Sequence, residues 1–460
     1  MQQRFFNILE DVSSKFQELL EKENRFLIFS SYSPDSLSSL TLLIDYLRNF
    51  ECETHVVFLQ DLNKEKVNSL FGKDGYDENV WIFLDTGSIF INDLRKNAKN
   101  SNKKIFIFDH HGIISKDINL DNVYQINPNI LGINGSLDIS TSTIVYLTLR
   151  NIGYDGLSFL SLVGPISEFQ DNKEFVGINK TVLDDLISNE IVELEKGLKL
   201  YSIKRPLYRA LSMSFEIYLP NVTGSDEKSL EFLKSINISK HATISYSELE
   251  EEEKKKLISE VIKIRVKYDL SYDNIVGDIV KIKDQNNIKD IREISYIFYS
   301  SALGKKSNVI GYFLGNKNLF DELNNNLVAL RNQIANSIYN IINEKWKIEK
   351  GDITIIEIPG GSIKKESLLF LSNVLSYNKL LKTRVILLLQ KIENKYVGSL
   401  RINGYIVKKE LYNVLYSLYE KNLISINFLD PIGGFTVDED KLNEVIKNLK
   451  ISLRQEGIII

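Results

Sequence analysis

The 460-residue chain carries one cysteine (Cys52), four histidines, two tryptophans, two methionines and seven prolines. A lone cysteine excludes an intrachain disulfide framework and any structural metal site built on several thiolates. With His55, His110, His111 and His241 as the whole imidazole supply, a metal site has to lean on carboxylates. Long apolar runs are missing too. The stretches VILLLQ (385–390) and FLIFS (26–30) are strand-sized, well short of the roughly 20 residues that cross a bilayer. The opening MQQRFFNILEDVSSKF has none of the basic, apolar and small-residue regions of a secretory signal. Charge is nearly balanced, with 57 Lys+Arg against 61 Asp+Glu and a net −4. That excludes a general basic coat for nucleic acid and leaves room only for a local groove. A soluble, intracellular protein without a membrane partner is expected.

What is present is ordinary for a folded chain: 43% hydrophobic and 26% charged residues. At about 100–200 residues per domain, two to four domains are expected. The first 170 residues alternate apolar runs with amphipathic stretches. RFLIFSS (25–31), THVVFL (54–59), NVWIFLD (79–85), KKIFIFD (103–109) and NVYQIN (122–127) read as strands covered on both faces. SLSSLTLLIDYLRNF between the first two carries Leu37, Leu40, Ile44 and Leu47 at helical spacing. Strand–helix alternation predicts an α/β fold with a parallel sheet and helices on both faces, with chemistry gathered at the C-terminal strand ends. At those ends stand Asp35, Asp85 and Asp109-His110-His111.

Further along, residues 174–200 read as helical, through Val182, Leu183, Leu186, Ile187, Ile191 and Leu194. Pro206, Pro220 and Gly224 then impose turns, and SELEEEEKKKL (247–257) reads as a charged, solvated helix. Residues 318–347 form a long amphipathic helix with Leu323, Leu327, Leu330, Ile334, Ile338 and Ile341 on one stripe, read as a connector rather than a coiled coil. A smaller α/β segment follows, with strands in DITIIEIPGG, TRVILLLQ and YVGSLRI and a helix in KKELYNVLYSLYEK.

FDHHG (108–112) is the sharpest feature. A strand-end carboxylate can orient one imidazole while two rings address a metal and a phosphate. The bare tripeptide is a weak signal; Asp35 and Asp85 at two other strand ends strengthen it. His55 and His241 read as structural, and Cys52 as inert.

Together these stretches resemble the DHH phosphoesterase superfamily. The matching segments are SYSPDSLSS (31–39), FLDTGS (83–88), FDHHG, the Asn-Pro and Ser-rich INPNILGINGSLDISTSTIVYLTL (126–149) and LSLVGPISEF (160–169). KRPLYRALSMSFEIYLPNVTGS resembles a segment of the archaeal RecJ-like branch, and GSLRING (398–404) with DPIGGFTVDED (430–440) resembles the DHH-associated C-terminal domain. The resemblance implies a DHH phosphoesterase-like domain over 1–200, an inserted or connecting region over 201–317, a connector helix over 318–348 and a DHH-associated C-terminal domain over 349–460.

The departures from the family pattern carry as much weight. In the first motif the family histidine falls on Ser31, the first aspartate on Ser33 and the glycine on Ser36; Asp35 remains. The fourth-motif aspartate falls on Glu168, and the histidine after Gly433 and Gly434 is Phe435. Two-metal hydrolysis needs two divalent ions about 3.5–4 Å apart, each with several anionic or imidazole ligands. Serines at 31 and 33 are poor substitutes, so at most one Mn²⁺ or Mg²⁺ ion is expected, held by Asp35, Asp85, His110 and Glu168, with no cofactor required and no catalysis. Asp109, His111, Arg401, Gly433 and Gly434 are the residues implied for phosphate or DNA contact. Arg401 reads equally as a surface arginine, and the glycine pair as a turn.

Degenerate relatives of this kind, such as the eukaryotic cell division cycle 45 protein and its archaeal RecJ-like counterparts, imply a non-catalytic subunit of the replicative helicase. Its expected partners are GINS, MCM and single-stranded DNA, and its expected place is the cytoplasm, associated with the nucleoid. The alternative is an active Mn²⁺- or Mg²⁺-dependent 5′→3′ single-strand exonuclease or oligonucleotide phosphoesterase.

Overall fold

The computed structural model describes residues 2–72, 75–115, 119–120, 122–172, 174–238, 243–283, 290–404, 409–427 and 433–460. His241 and the start of DPIGGF (430–432) lie outside the described residues.

Among the described residues seven strands come first: β1 (Arg25–Ser30), β2 (Glu53–Phe58), β3 (Asp61–Leu62), β4 (Val80–Leu84), β5 (Lys104–Phe108), β6 (Asn119–Leu120) and β7 (Val123–Ile126). Five of them form a parallel sheet in the order β2-β1-β4-β5-β7, with β6 antiparallel at the edge. The α/β expectation holds, and the five predicted strands are the five parallel ones. Side chains alternate between two cores, as strand geometry requires. Phe26, Ile28, Val80 and Ile82 face helices Gln2–Lys22, Pro34–Leu47 and Thr141–Arg150; Leu27, Phe29, Trp81 and Phe83 face Lys64–Leu70 and Ile91–Ser101. Helix Pro34–Leu47 begins as its sequence dictates. Ser33 accepts from the Ser36 amide (2.9 Å) as N-cap, and Pro34 fills the first turn.

The predicted helix over 174–200 is in fact shorter. A helix ends at Ser188, Glu190 takes a positive φ of 60°, and β8 (Val192–Leu198) follows, paired antiparallel with β9 (Val276–Ile282). Ile191 and Leu194 match helical spacing by coincidence; the chain is extended here, and Leu194 is an exposed strand residue. Around this ribbon, helices Leu207–Met213, Asp226–Ser235 and Glu251–Lys267 bury a core of their own, including Leu211, Leu233, Leu257 and Val261. The long helix spans Phe320–Ile342, with all six stripe residues buried, and ends five residues before the expected boundary. The chain then enters β10 (Lys347–Glu349), which pairs with the next strand.

The C-terminal sheet adds β11 (Thr354–Ile358), β12 (Val385–Ile392), β13 (Lys395–Ile402), β14 (Ser425–Asn427) and β15 (Gly434–Asp438), in the order β10-β11-β12-β13-β15-β14-β3. Its last strand is therefore donated by the N-terminal lobe: Leu62 pairs with Ile426 and Asp61 with Asn427. The core under β1 and β4 continues without a break into Leu387, Leu400, Leu411, Leu415, Leu418 and Phe435, so the two lobes share it.

Phe435 is fully buried and lies opposite Gly398 in register, and a Cβ on Gly398 would come within 2.5–2.8 Å of its ring. The aromatic ring covers the glycine across the strand pair, where a histidine would bury a polar ring. Phe435→Ala is expected to destabilise the chain by about 3–5 kcal/mol, read as a lower urea midpoint; a change under ~1 kcal/mol would contradict this packing.

Candidate metal centre

The strand ends converge on one buried cluster. Asp85 follows β4 with φ 59°, a left-handed conformation uncommon outside glycine but more accessible to aspartate than to most residues. Its amide donates to the Phe108 carbonyl (2.9 Å), which fixes it against β5. Asp109-His110-His111 follow β5, their carbonyls held by the side chains of Asn127 (to His111, 2.9 Å) and Asn129 (to His110, 2.8 Å). Glu168 caps the short helix Val163–Ser167.

Each donor has a defined partner. His110 Nδ1 donates to the Gly135 carbonyl (2.7 Å), leaving Nε2 facing Glu168 (3.2 Å), Asp35 (3.5 Å) and Asp85 (3.5 Å). His111 Nδ1 donates to Asp109 (2.8 Å), whose other oxygen accepts the Ser88 amide (3.1 Å). Asp85 accepts from Ser33 Oγ (2.5 Å) and Thr141 Oγ1 (3.1 Å). Single donor atoms of Asp85, His110, His111 and Glu168 all lie within 4.8 Å of one another. None of these residues is more than 5% exposed.

Charge balance follows from burial. Asp109 is pulled down to about 2, because His111 and the Ser88 amide outweigh the burial that would raise it. Asp35 is pushed up to about 7, chiefly by burial and then by Asp85 and Glu168. Burial would lower His110, yet Glu168, Asp85 and Asp35 raise it well above its usual range. His111 is also raised: Asp85 and Asp109 overcome burial and the His110 charge.

The structure redistributes the expected roles. Asp35 accepts the backbone amides of Thr141 (2.8 Å) and Ser142 (2.7 Å), so both of its oxygens cap a helix. His111, expected at a phosphate, joins the donor cluster instead. Arg401 is not a surface arginine: it is fully buried and donates to Asn373 (2.9–3.0 Å) and the Leu400 carbonyl (2.9 Å). Gly433 lies in the turn that leads into β15, as one of the two readings expected. Gly434 starts β15, and a Cβ on Gly433 would sit 2.1 Å from the Leu400 oxygen, so the glycine serves close strand approach. His55 lies on β2 facing Glu78 (3.2 Å), and Cys52 is partly buried.

Several contributors escaped the sequence reading: Ser88, Gly135, Thr141, Ser142, Gln170 and Tyr412. The Ser-Thr run before helix Thr141–Arg150 was the available signal for two of them. Tyr412 had none. It sits on helix Lys409–Glu420 of the other lobe, its ring parallel to that of His111 (6.3 Å between centroids) and pressed on Gly112, where a Cβ would clash at 2.7 Å. The four-donor cluster fits one divalent ion. A second does not fit: Ser31 and Ser33 supply hydroxyls, Ser33 already donates to Asp85, and Asp35 is engaged.

Residues 25–166 match the DHH family N-terminal domain and residues 201–279 the DHH-CID domain. These two stretches are thus similar to DHH-family domains. Among solved structures it is similar to CDC45 from Entamoeba histolytica, with a TM-score of 0.66 at 13% identity, covering 97% of this chain and 98% of that one. It is also similar to RecJ from Thermus thermophilus in complex with Mn²⁺, with a TM-score of 0.51 at 12% identity, covering 97% of this chain and 55% of that one. At such identities the likeness establishes the fold. An uncharacterised protein of Methanocaldococcus jannaschii is 30% identical over 259 residues, which is 55% of this chain and 57% of that relative's length. Among the described residues no helix is long and apolar enough to cross a membrane.

The raised groups set a pH dependence. His110 and His111 contribute stability that is present below 6.5, their usual value, and is lost as pH rises through their higher folded values. Asp35, raised to about 7, acts in the same direction from 3.8 upward. In protein kept free of divalent ions, the melting temperature is therefore expected to fall from about pH 6 towards about pH 9. His110→Gln should flatten that slope; an unchanged slope would refute the assignment.

Proposed function

We propose that this protein is a non-catalytic RecJ-like subunit of an archaeal replicative helicase, bound to GINS and MCM, with single-stranded DNA as a secondary contact. The observation that carries the reading is the filled second-ion position. Ser33 donates to Asp85 where a ligand pair would be needed, Asp35 is engaged by helix amides, and the Tyr412 ring lies parallel to that of His111. A phosphodiester has neither the two-ion clamp nor an open approach. The fold likeness to CDC45, complete over nearly the whole of both chains, supports the same reading. The four-segment division, at 200, 317 and 348, goes with it. One Mn²⁺ or Mg²⁺ ion at the remnant site is compatible with this role, and none is required by it.

The retained Asp85, His110, His111 and Glu168 cluster favours a second reading, a weak metal-dependent exonuclease or oligonucleotide phosphoesterase. A single-turnover assay on 5′-labelled single-stranded DNA with Mn²⁺ separates the two. Wild type and an Asp85→Ala/His110→Ala double variant should be equally inactive; cleavage by wild type that the double variant abolishes would establish the nuclease. GINS is expected to co-purify with the tagged full chain, and its failure to do so would remove the helicase assignment.

A further inference from the structure

Outside the strand-end cluster, positive charge gathers where the C-terminal lobe meets the turn after β1. The Lys306 ammonium sits over the ring of Tyr32, 4.6 Å from its centroid, and Lys364 donates to the Leu303 carbonyl (3.0 Å). Neither contact neutralises a cation. Burial lowers the proton affinity of Lys306; Glu366 opposes that, while Lys365 and Lys364 add to it. Three lysines thus share one locality in a chain of net charge −4. Their placement runs against helix electrostatics, which favour acids at N-termini. Lys306 is the first residue of helix Lys306–Phe313, and Lys364 and Lys365 precede helix Leu368–Tyr377. Gln333 on the long helix fixes the second pair, accepting from the Ser367 hydroxyl (2.7 Å) and the Lys364 amide (3.3 Å).

A cavity of about 260 Å³ adjoins Lys365 at the seam between the lobes. Gln60 and Asp61 of the N-terminal lobe line it, with Asn394, Lys395 and Thr436 of the C-terminal sheet. Asp61 is paired with Lys66, which balances its charge, and a second carboxylate, Glu393, stands in the turn between β12 and β13. Most of the wall is polar and the space is small, which suits an oxyanion better than an apolar anchor. Lysine ammoniums bind phosphate as point charges, without demanding one fixed geometry. We propose that Lys306, Lys364 and Lys365, with the adjoining cavity, form a site for neighbouring phosphate oxyanions, separate from the Asp85 cluster and independent of metal. Two sources carry that chemistry: a short run of single-stranded nucleic-acid backbone, or the phosphate tail of a free nucleotide. The nucleic-acid source rests on the helicase-subunit reading; the oxyanion site does not, and it is read without GINS and without cleavage.

The full chain, kept free of divalent ions with a chelator, would be titrated with inorganic tripolyphosphate and with an unphosphorylated thymidine oligonucleotide. Each titration is run at low and at physiological salt. It is repeated on a Lys306→Gln/Lys365→Gln variant and on Lys345→Gln/Lys347→Gln, an equal charge change at the β10 edge of the C-terminal sheet. Wild type is expected to bind at least one of the two ligands, and which one it binds identifies the source. The site variant should bind that ligand at least about ten-fold more weakly, with a salt slope smaller by about 2 for the oligonucleotide. The control variant should bind like wild type. No binding of either ligand to wild type, a site variant that binds like wild type, or a control that loses as much would each overturn the proposal. So would a polyglutamate peptide bound as tightly as the phosphate ligand. Should the site variant not fold, lysine acetylation of wild type decides: bound ligand should protect Lys306 and Lys365 but not Lys347, and equal labelling with and without ligand would overturn the site.

Discussion

A fully buried carboxylate, Asp85, stands at the end of β4 in a left-handed backbone conformation. Burying a carboxylate is tolerated only with compensating partners, and much of the surrounding architecture supplies them. Ser31 and Ser33 come from the turn after β1, Thr141 from the start of a helix, and His110 and His111 from the end of β5. Three separate chain segments are thereby tied to Asp85. The parallel sheet makes this convergence possible, because it brings the C-terminal ends of β1, β4 and β5 side by side.

The second constraint is closure. Residues Tyr412, Tyr416 and Tyr419 recur on one face of helix Lys409–Glu420, and the first and last of them dock on the N-terminal lobe. Tyr412 lies over Gly112 and His111. Tyr419 donates to Asp93 (2.9 Å) and meets Phe90 edge-on. At the far edge β3 completes the other lobe's sheet. Lobes that share one apolar core and one sheet do not open easily, since separation would expose both. The packing of Tyr412 on Gly112 and beside His111 thereby brings the second lobe against the histidines themselves.

How much of this was readable from the chain depends on the range of the interaction. The five parallel strands were legible because each is apolar on both faces, and the cluster residues because Asp85 and the Asp109-His110-His111 triplet sit at strand ends. Local periodicity failed where a helix and a strand abut: Ile191 and Leu194 fit a helical stripe but belong to a ribbon whose partner strand is β9, far along the chain. Arg401 illustrates a deeper limit. Its strand neighbours say nothing of burial, which depends on Asn373 in another helix and on the close approach of Gly433. Asp35 kept its identity but not its expected role, because the helix amides that claim it, at Thr141 and Ser142, are remote in sequence.

The eroded first motif is itself well formed. Ser36 Oγ accepts the Ser31 amide (3.0 Å), donates to the Leu84 carbonyl (3.1 Å) and lies 2.9 Å from Ser30 Oγ, while the Ser31 and Ser33 hydroxyls lie 3.2 Å apart. These serines thus form a hydroxyl network that satisfies itself and the nearest carboxylate. A site that had merely lost ligands would leave buried oxygens unpaired around the gap, at about 1–3 kcal/mol each. Here, among the cluster's described residues, the atoms without a hydrogen bond lie in the other half, and of these His110 Nε2 is in ion-pair contact with Glu168 at 3.2 Å. The two halves of the cluster are thus satisfied differently: one by hydrogen bonds between hydroxyls and Asp85, the other by the contacts of His110 Nε2 with Glu168, Asp35 and Asp85.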